Sequence, residues 1–402
     1  MSPAPQGPRP GVAVVYAASL LQGLTVVAFP ASSTVLRSMH HLSDEAYGSL
    51  FLPQTLFTIV GSLFGGALAR KVGLRALLVG SACAGLLSQL ALLSVVALPS
   101  QAVLPALLMG TGLMGLGFGG AAAPLNTYPG LLFPGRGDSA LVALHTILGV
   151  GFSLGPILVS ALVAVDHWVI FPSVVVLGNA LIAIGGSRVS LPVQRQIDQT
   201  GPVSTPSWGP LSVLATIAVL YAFAEGTFSN WASIFLHETR SVDESVAALA
   251  ISGFWAALTL GRLGVAALIT RIAPFKVWLT LPLAMIAVFV LLPYVRGAAD
   301  GVALFCAAGL AASAFFPLTV ALANRRYLGR EALVSSVLTA ALMVGVGGGS
   351  FGLGFLRREL SFEAIYRLSA LYPLVAFALG ALTVTANPSI RTGRQLAPEK
   401  PI

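Results

Sequence analysis

Residues 74–98 read LRALLVGSACAGLLSQLALLSVVAL, twenty-five residues that carry one charge, Arg75. The run is too long for a strand, and its apolar residues do not alternate as a half-buried strand requires. About 20 apolar residues cross a bilayer as a helix. In lipid a backbone must satisfy its own hydrogen bonds, which a helix does within one segment. The stretch therefore reads as a transmembrane helix, and the rest of the chain follows from it.

Eleven more such runs flank it. The first six spans fall at 11–36, 46–69, 74–98, 103–126, 139–163 and 168–186. A polar, proline-containing stretch runs from Ser187 to Trp208, and six further spans follow at 209–236, 245–270, 277–295, 301–323, 332–356 and 365–386. Pro53, Pro156 and Pro317 lie inside these runs, and membrane helices tolerate proline better than soluble ones. The reading is an all-α membrane protein of twelve transmembrane helices. An N-terminal bundle spans 1–186, a linker 187–208, a C-terminal bundle 209–386 and a tail 387–402.

The totals agree. Of 402 residues 56% are hydrophobic and 9% charged, and the mean hydropathy is +0.89. A soluble domain needs roughly 25% charged residues, so a soluble enzyme, a disordered chain and a disulfide scaffold are excluded. The two cysteines, Cys83 and Cys306, each sit inside an apolar run, which argues against a disulfide framework or a metal site. The net charge of +8 lies in short connections, not on one face, so nucleic acid is not an expected partner. No small-residue cleavage site follows a short apolar core near the N-terminus, so the first run reads as a retained helix.

Lysine and arginine orient the chain. With the N-terminus inside, Arg9, Arg70, Lys71, Arg75, Arg136, Arg188, Arg195, Arg271, Lys276, Arg325, Arg326, Arg330, Arg391, Arg394 and Lys400 face the cytoplasm. Arg37, Arg240, Arg296, Arg357, Arg358 and Arg367 face out, and Arg262 lies within a span. The positive-inside rule then places both termini in the cytoplasm, in the inner (cytoplasmic) membrane.

Six spans, a link and six spans suggest two repeated halves. Leu68-Ala69-Arg70-Lys71-Val72-Gly73-Leu74-Arg75 is echoed by Ile269-Thr270-Arg271-Ile272-Ala273-Pro274-Phe275-Lys276, an offset of 201. Internal repeats are a building principle of secondary transporters. The first of these connections, with Gly66, Arg70, Lys71, Gly73 and Arg75, resembles the basic loop signature of the major facilitator superfamily, although Arg70 stands where that signature carries Asp. In the second half, Thr259-Leu260-Gly261-Arg262, Leu268 to Val277 and Phe316-Pro317-Leu318 are similar to the fucose–galactose–glucose proton symporter family. Leu144 to Gly151 and Gly155-Pro156 in the first half are similar to it too. The resemblance implies two six-helix halves working by alternating access. It does not bring that family's acidic coupling residues, because 11–36 and 103–126 contain no Asp or Glu.

The candidate residues are the polar ones held in lipid. Glu225, in Tyr221-Ala222-Phe223-Ala224-Glu225-Gly226-Thr227, is the mid-span carboxyl. An ionised carboxylate there costs ~2.5 kcal/mol or more, so the group is a natural proton carrier, or else a neutral acid bonded within its bundle. His145 is a second proton-relay candidate, or a packing histidine. Gln22, Asn126 and Asn230 suit substrate hydroxyls, or serve as interhelical glue. Trp231 and Trp255 offer rings to a flat solute, or to the core. Arg262 could attract an anionic solute, pair with Glu225, or tie the carbonyls of a neighbouring helix. The glycines of Gly115-Leu116-Gly117-Phe118-Gly119-Gly120 follow no strand, so they read as close helix packing and not as a phosphate loop. Gly345, Gly347, Gly348 and Gly349 read the same way, or as a hinge.

The expected function is secondary active transport of a small polar solute, a sugar or similar metabolite, coupled to protons. No catalytic, metal or cofactor site is expected. The expected partners are the solute, protons and lipid, with the chain acting as a monomer. Two alternatives remain: a proton-antiport exporter of drugs or metabolites, which Gly151-Phe152-Ser153-Leu154-Gly155-Pro156 weakly favours, and a membrane sensor or intramembrane enzyme, for which no soluble domain or nucleophile set speaks.

Overall fold

The structure is a computed structural model that describes residues 9–134, 137–192, 208–269, 271–327 and 331–386. Much of the linker and the whole C-terminal tail therefore lie outside the described residues. Among the described residues twelve helices are long and apolar enough to cross a membrane. They are α1 (Pro10–Ala31), α2 (Asp44–Gly65), α3 (Leu74–Ser94), α4 (Ser100–Leu132), α5 (Ala143–Val163), α6 (Ile170–Arg188), α7 (Trp208–Thr239), α8 (Glu244–Leu268), α9 (Pro274–Tyr294), α10 (Ala298–Ala323), α11 (Val337–Leu356) and α12 (Phe362–Ala386). Their outer faces are apolar: Phe64, Leu177, Leu260 and Leu382 are each more than 60% exposed. Water would penalise so much bare hydrocarbon, and lipid does not.

The helices start and stop on local signals. Ser43 accepts from the Ala46 amide at 3.2 Å ahead of α2, and Ser361 accepts from the Ala364 amide at 3.2 Å at the start of α12. Each satisfies one of the amides that a helix start leaves without a partner. Gly73, at φ +87°, turns the chain from the α2 rod, which continues helically to Val72, into α3. That conformation is open to glycine at no steric cost.

The chain sorts into two compact units, Met1–Gln199 with Asp243–Ser252, and Thr200–Val242 with Gly253–Ile402. Each is built on the same two close helix pairs. In the first unit α2 meets α4: a Cβ on Gly115 would lie 2.1 Å from the Gln54 carbonyl oxygen, and one on Gly119 2.2 Å from that of Thr58. In the second unit α8 meets α10 in the same way, and a Cβ on Gly309 would lie 2.1 Å from the Phe254 carbonyl oxygen. The second pair is α1 with α5, where Gly23 and Gly151 abut, and α7 with α11, where Gly226 faces Val346 and Gly345 faces Val219. Gln54 and Phe254, Gly61 and Gly261, and the starts of α3 at Leu74 and α9 at Pro274 correspond at an offset of 200. Other members of the pairs stand at other offsets, Gly115 and Gly309 at 194 and Gly23 and Gly226 at 203, so the halves match helix by helix and not at one spacing along the chain.

The glycines of α4 are therefore packing residues, and this gives a first prediction. Gly115→Ala and Gly309→Ala should each destabilise the protein by about 1–3 kcal/mol, the usual range for overpacking. Gly80→Ala, where an added Cβ meets nothing within 4 Å, should be neutral or stabilising. Thermal unfolding in detergent reads the difference. Equal melting temperatures for Gly115→Ala and Gly80→Ala would refute the close approach.

Candidate functional site

In the first unit, the Gln22 amide on α1 donates from Nε2 to the Phe118 carbonyl of α4 at 3.0 Å. Gln22 lines a pocket with Thr25, Ser81, Met114, Phe118 and Asn179, which encloses about 410 Å³ of atom-free space including its open mouth. Asn179 donates from Nδ2 to Thr25 Oγ1 at 3.3 Å and to the Val175 carbonyl at 3.0 Å. Thr25 passes its own hydrogen to the Leu21 carbonyl at 2.7 Å. The pocket is apolar with a few uncharged hydrogen-bonding groups, the usual make-up of a small-molecule site. Sequence reasoning found Gln22 and missed Thr25, Ser81 and Asn179. The spacing of Gln22 and Thr25, three apart on one helical face, was the available signal.

Two further candidates meet in this unit. His145 Nε2 of α5 lies 3.0 Å from Asn126 Oδ1 of α4, and both side chains are exposed. Arg75 donates to the Gly186 carbonyl at 2.8 Å and to that of Ser187. It thus places a cation on the carbonyl end of α6, where the helix dipole favours one. Lys71 is exposed. The side-chain surroundings of Gly66 and Arg70 lie outside the described residues.

In the second unit, Asn230 and Trp231 are turned into the bundle. Asn230 Nδ2 donates to Ser350 Oγ at 2.7 Å, and Trp231 Nε1 donates to the Ser350 carbonyl at 3.2 Å. The Trp231 ring has no exposed surface and packs on Phe362. Trp255 is partly buried, edge-on to Phe254.

Glu225 lies near the middle of α7, partly buried. The other carboxylates within the spans, Asp44, Glu45, Glu238, Glu244, Asp300 and Glu363, lie in terminal turns. Two side chains act on Glu225: the Tyr221 hydroxyl, within hydrogen-bonding reach one turn earlier, and the charge of Arg262 on α8. Both also hold α10. That span is two helices, Ala298–Ala312 and Phe315–Arg326, joined by a turn at Ser313 and Ala314. Pro317 is the local cause, because it has no N–H to give the carbonyl four residues back, that of Ser313. Arg262 supplies the missing donor, from Nε to the Ser313 carbonyl at 3.0 Å. Tyr221 donates to the Ala312 carbonyl at 3.0 Å. Sequence reasoning missed Tyr221, although its place four residues before Glu225 puts the two on one face.

Comparison with known proteins places this architecture. The model described as Major Facilitator Superfamily matches residues 13–308. An uncharacterized MFS-type transporter of Yersinia pestis is 23% identical over 386 residues, covering 94% of this chain and 98% of its own. A solved D-xylose–proton symporter superposes with a TM-score of 0.72 at 15% identity, over 96% of this chain and 99% of the other. A nucleoside transporter does so with a TM-score of 0.73 at 14% identity, over 92% and 99%. At such identities the likeness to the solved structures is one of fold.

Proposed function

The chain belongs to the Major Facilitator Superfamily, and from that premise we propose that it is a proton-coupled symporter of a small, neutral, hydroxylated solute. It works by alternating access in the cell membrane with both termini in the cytoplasm. The observation that carries the coupling is Glu225, a mid-span carboxyl with a phenol and a guanidinium as its neighbours. A group of this kind in lipid is costly to keep charged, so it is suited to take a proton on one side and release it on the other. The solute class is supported by the pocket lined by Gln22, Thr25, Ser81 and Asn179, whose polar groups are all uncharged. The likeness to a D-xylose–proton symporter and to a nucleoside transporter supports the same class. The short motifs around Arg262 and Pro317 support a place beside the fucose–galactose–glucose symporters.

The test is transport by purified protein in proteoliposomes. An inward proton gradient should drive accumulation of at least one monosaccharide or nucleoside from a screen, and a protonophore should abolish it. Accumulation that needs an outward gradient, with apolar drugs as the cargo, would replace this reading with that of an antiport exporter.

A further inference from the structure

Glu225 and the break in α10 share their partners. Tyr221 lies beside the carboxyl and donates its one hydrogen to Ala312. Arg262 acts on the carboxyl by its charge and gives Nε to Ser313. The two carbonyls are the last of the first half of α10 and the first of its turn. In a span, a backbone carbonyl left without a donor is costly, so these two side chains are what closes the break.

We propose that Tyr221 and Arg262 are positioning residues that carry the protonation state of Glu225 to the break in α10. The proposal rests on the reading of Glu225 as the proton carrier. A neutral carboxyl leaves the phenol on Ala312 and the guanidinium on Ser313, and the two halves of α10 are tied to α7 and α8. An ionised carboxylate is a stronger acceptor than a peptide carbonyl. It then draws on the same two donors. A phenol has a single hydrogen to give, so a bond from Tyr221 to the carboxylate is a bond lost at Ala312. A guanidinium has five, so Arg262 can turn an N–H to the carboxylate, at the cost of its alignment on Ser313. Loss of the proton thus loosens the break and lets α10 bend there.

Among the described residues the ionisable groups on the helices packed against α7 can be named. The groups acting on Glu225 among the described residues are Tyr221 from its own helix and Arg262 from α8. α11 carries no ionisable side chain over Val337–Leu356. On α12, Tyr372 lies against Phe223. On α10, Cys306 stands against Gly253 and Asp300 is in the first turn, bonded to the Arg296 and Gly297 amides.

Hydrogen–deuterium exchange of the full chain in lipid nanodiscs tests this, read on peptides covering 310–320 and corrected for intrinsic exchange. Peptides of α3 serve as the internal reference. In the wild type, protection of the amides around the break should fall about tenfold between acidic and alkaline buffer, because a turn that has lost one such tie opens about that much more often. Glu225→Gln should hold the protected level at every pH. Tyr221→Phe should hold the lowered level at every pH, with α3 unchanged. Protection at the break that ignores pH in the wild type, or survives Tyr221→Phe, would overturn the proposal. If Glu225→Gln has lost gradient-driven accumulation in proteoliposomes made from the same purified protein, the reading of the proton carrier survives that failure. If accumulation persists, that reading fails on its own account.

Discussion

Glu225→Gln should abolish accumulation of solute against its gradient and leave exchange of labelled for unlabelled solute intact. Glutamine keeps the size and the hydrogen-bonding capacity of a neutral acid but cannot ionise. Exchange requires the loaded protein to move back and forth, with no proton released. Net uphill transport requires that release. Loss of the proposed proton carrier should therefore lower the accumulation ratio at least about tenfold, toward equilibrium, a factor equivalent to roughly 1.4 kcal/mol of lost coupling. The measurement is paired counterflow and gradient-driven uptake on the same proteoliposomes. Loss of both activities together would mean that Glu225 holds the fold or the solute and not the proton.

Arg240→Ala should destabilise the protein more than either glycine substitution above. Arg240 follows α7 and gathers the far side of its unit. Its Nη1 donates to Glu363 Oε1 of α12 at 2.8 Å, Nη2 to the Pro293 carbonyl at 2.8 Å and Nε to the Val295 carbonyl at 2.5 Å. The guanidinium also lies 5.1 Å from the centre of the Phe235 ring. Its side chain is only 14% exposed and that of Glu363 27%. Removing it leaves a half-buried carboxylate and two carbonyls at the end of α9 without their donor. The cost of breaking such a pair from one side is about 3 kcal/mol or more. Arg240→Lys should recover only part, since an ammonium cannot reach three acceptors in a plane. Thermal unfolding in detergent reads both variants. An unchanged melting temperature for Arg240→Ala would show the cluster to be idle.

The architecture was legible because lipid imposes it. A run such as 74–98 has no alternative to a helix, and twelve such runs leave little freedom. The repeat was legible only as an echo in the basic connections. The residues that define it, Gly115 against Gln54 and Gly309 against Phe254, touch through backbone and leave no side-chain pattern to align. The site was legible in part. Glu225 stands out because carboxyls in spans are rare, and no pattern was needed to find it. The break in α10 did not stand out, since Pro105, Pro124, Pro156 and Pro282 lie within helices that continue through them. Pro317 differs in having Arg262 to hold the carbonyl it frees and Tyr221 to hold the one before it, which is a property of three helices packed together. Trp231 illustrates the converse. Its type and depth suggest a ring for a solute, but where α7 turns toward α11 it meets Ser350 and Phe362.

The claim on which all of this depends is that solute and proton travel together through Glu225. Proton uptake by purified protein in weakly buffered detergent, followed with a pH indicator, tests it most directly. The solute added is one that drives accumulation in the proteoliposome screen. The wild type should take up close to one proton per solute bound at alkaline pH, and Glu225→Gln should take up none while still binding. Equal uptake by the two proteins would contradict the account.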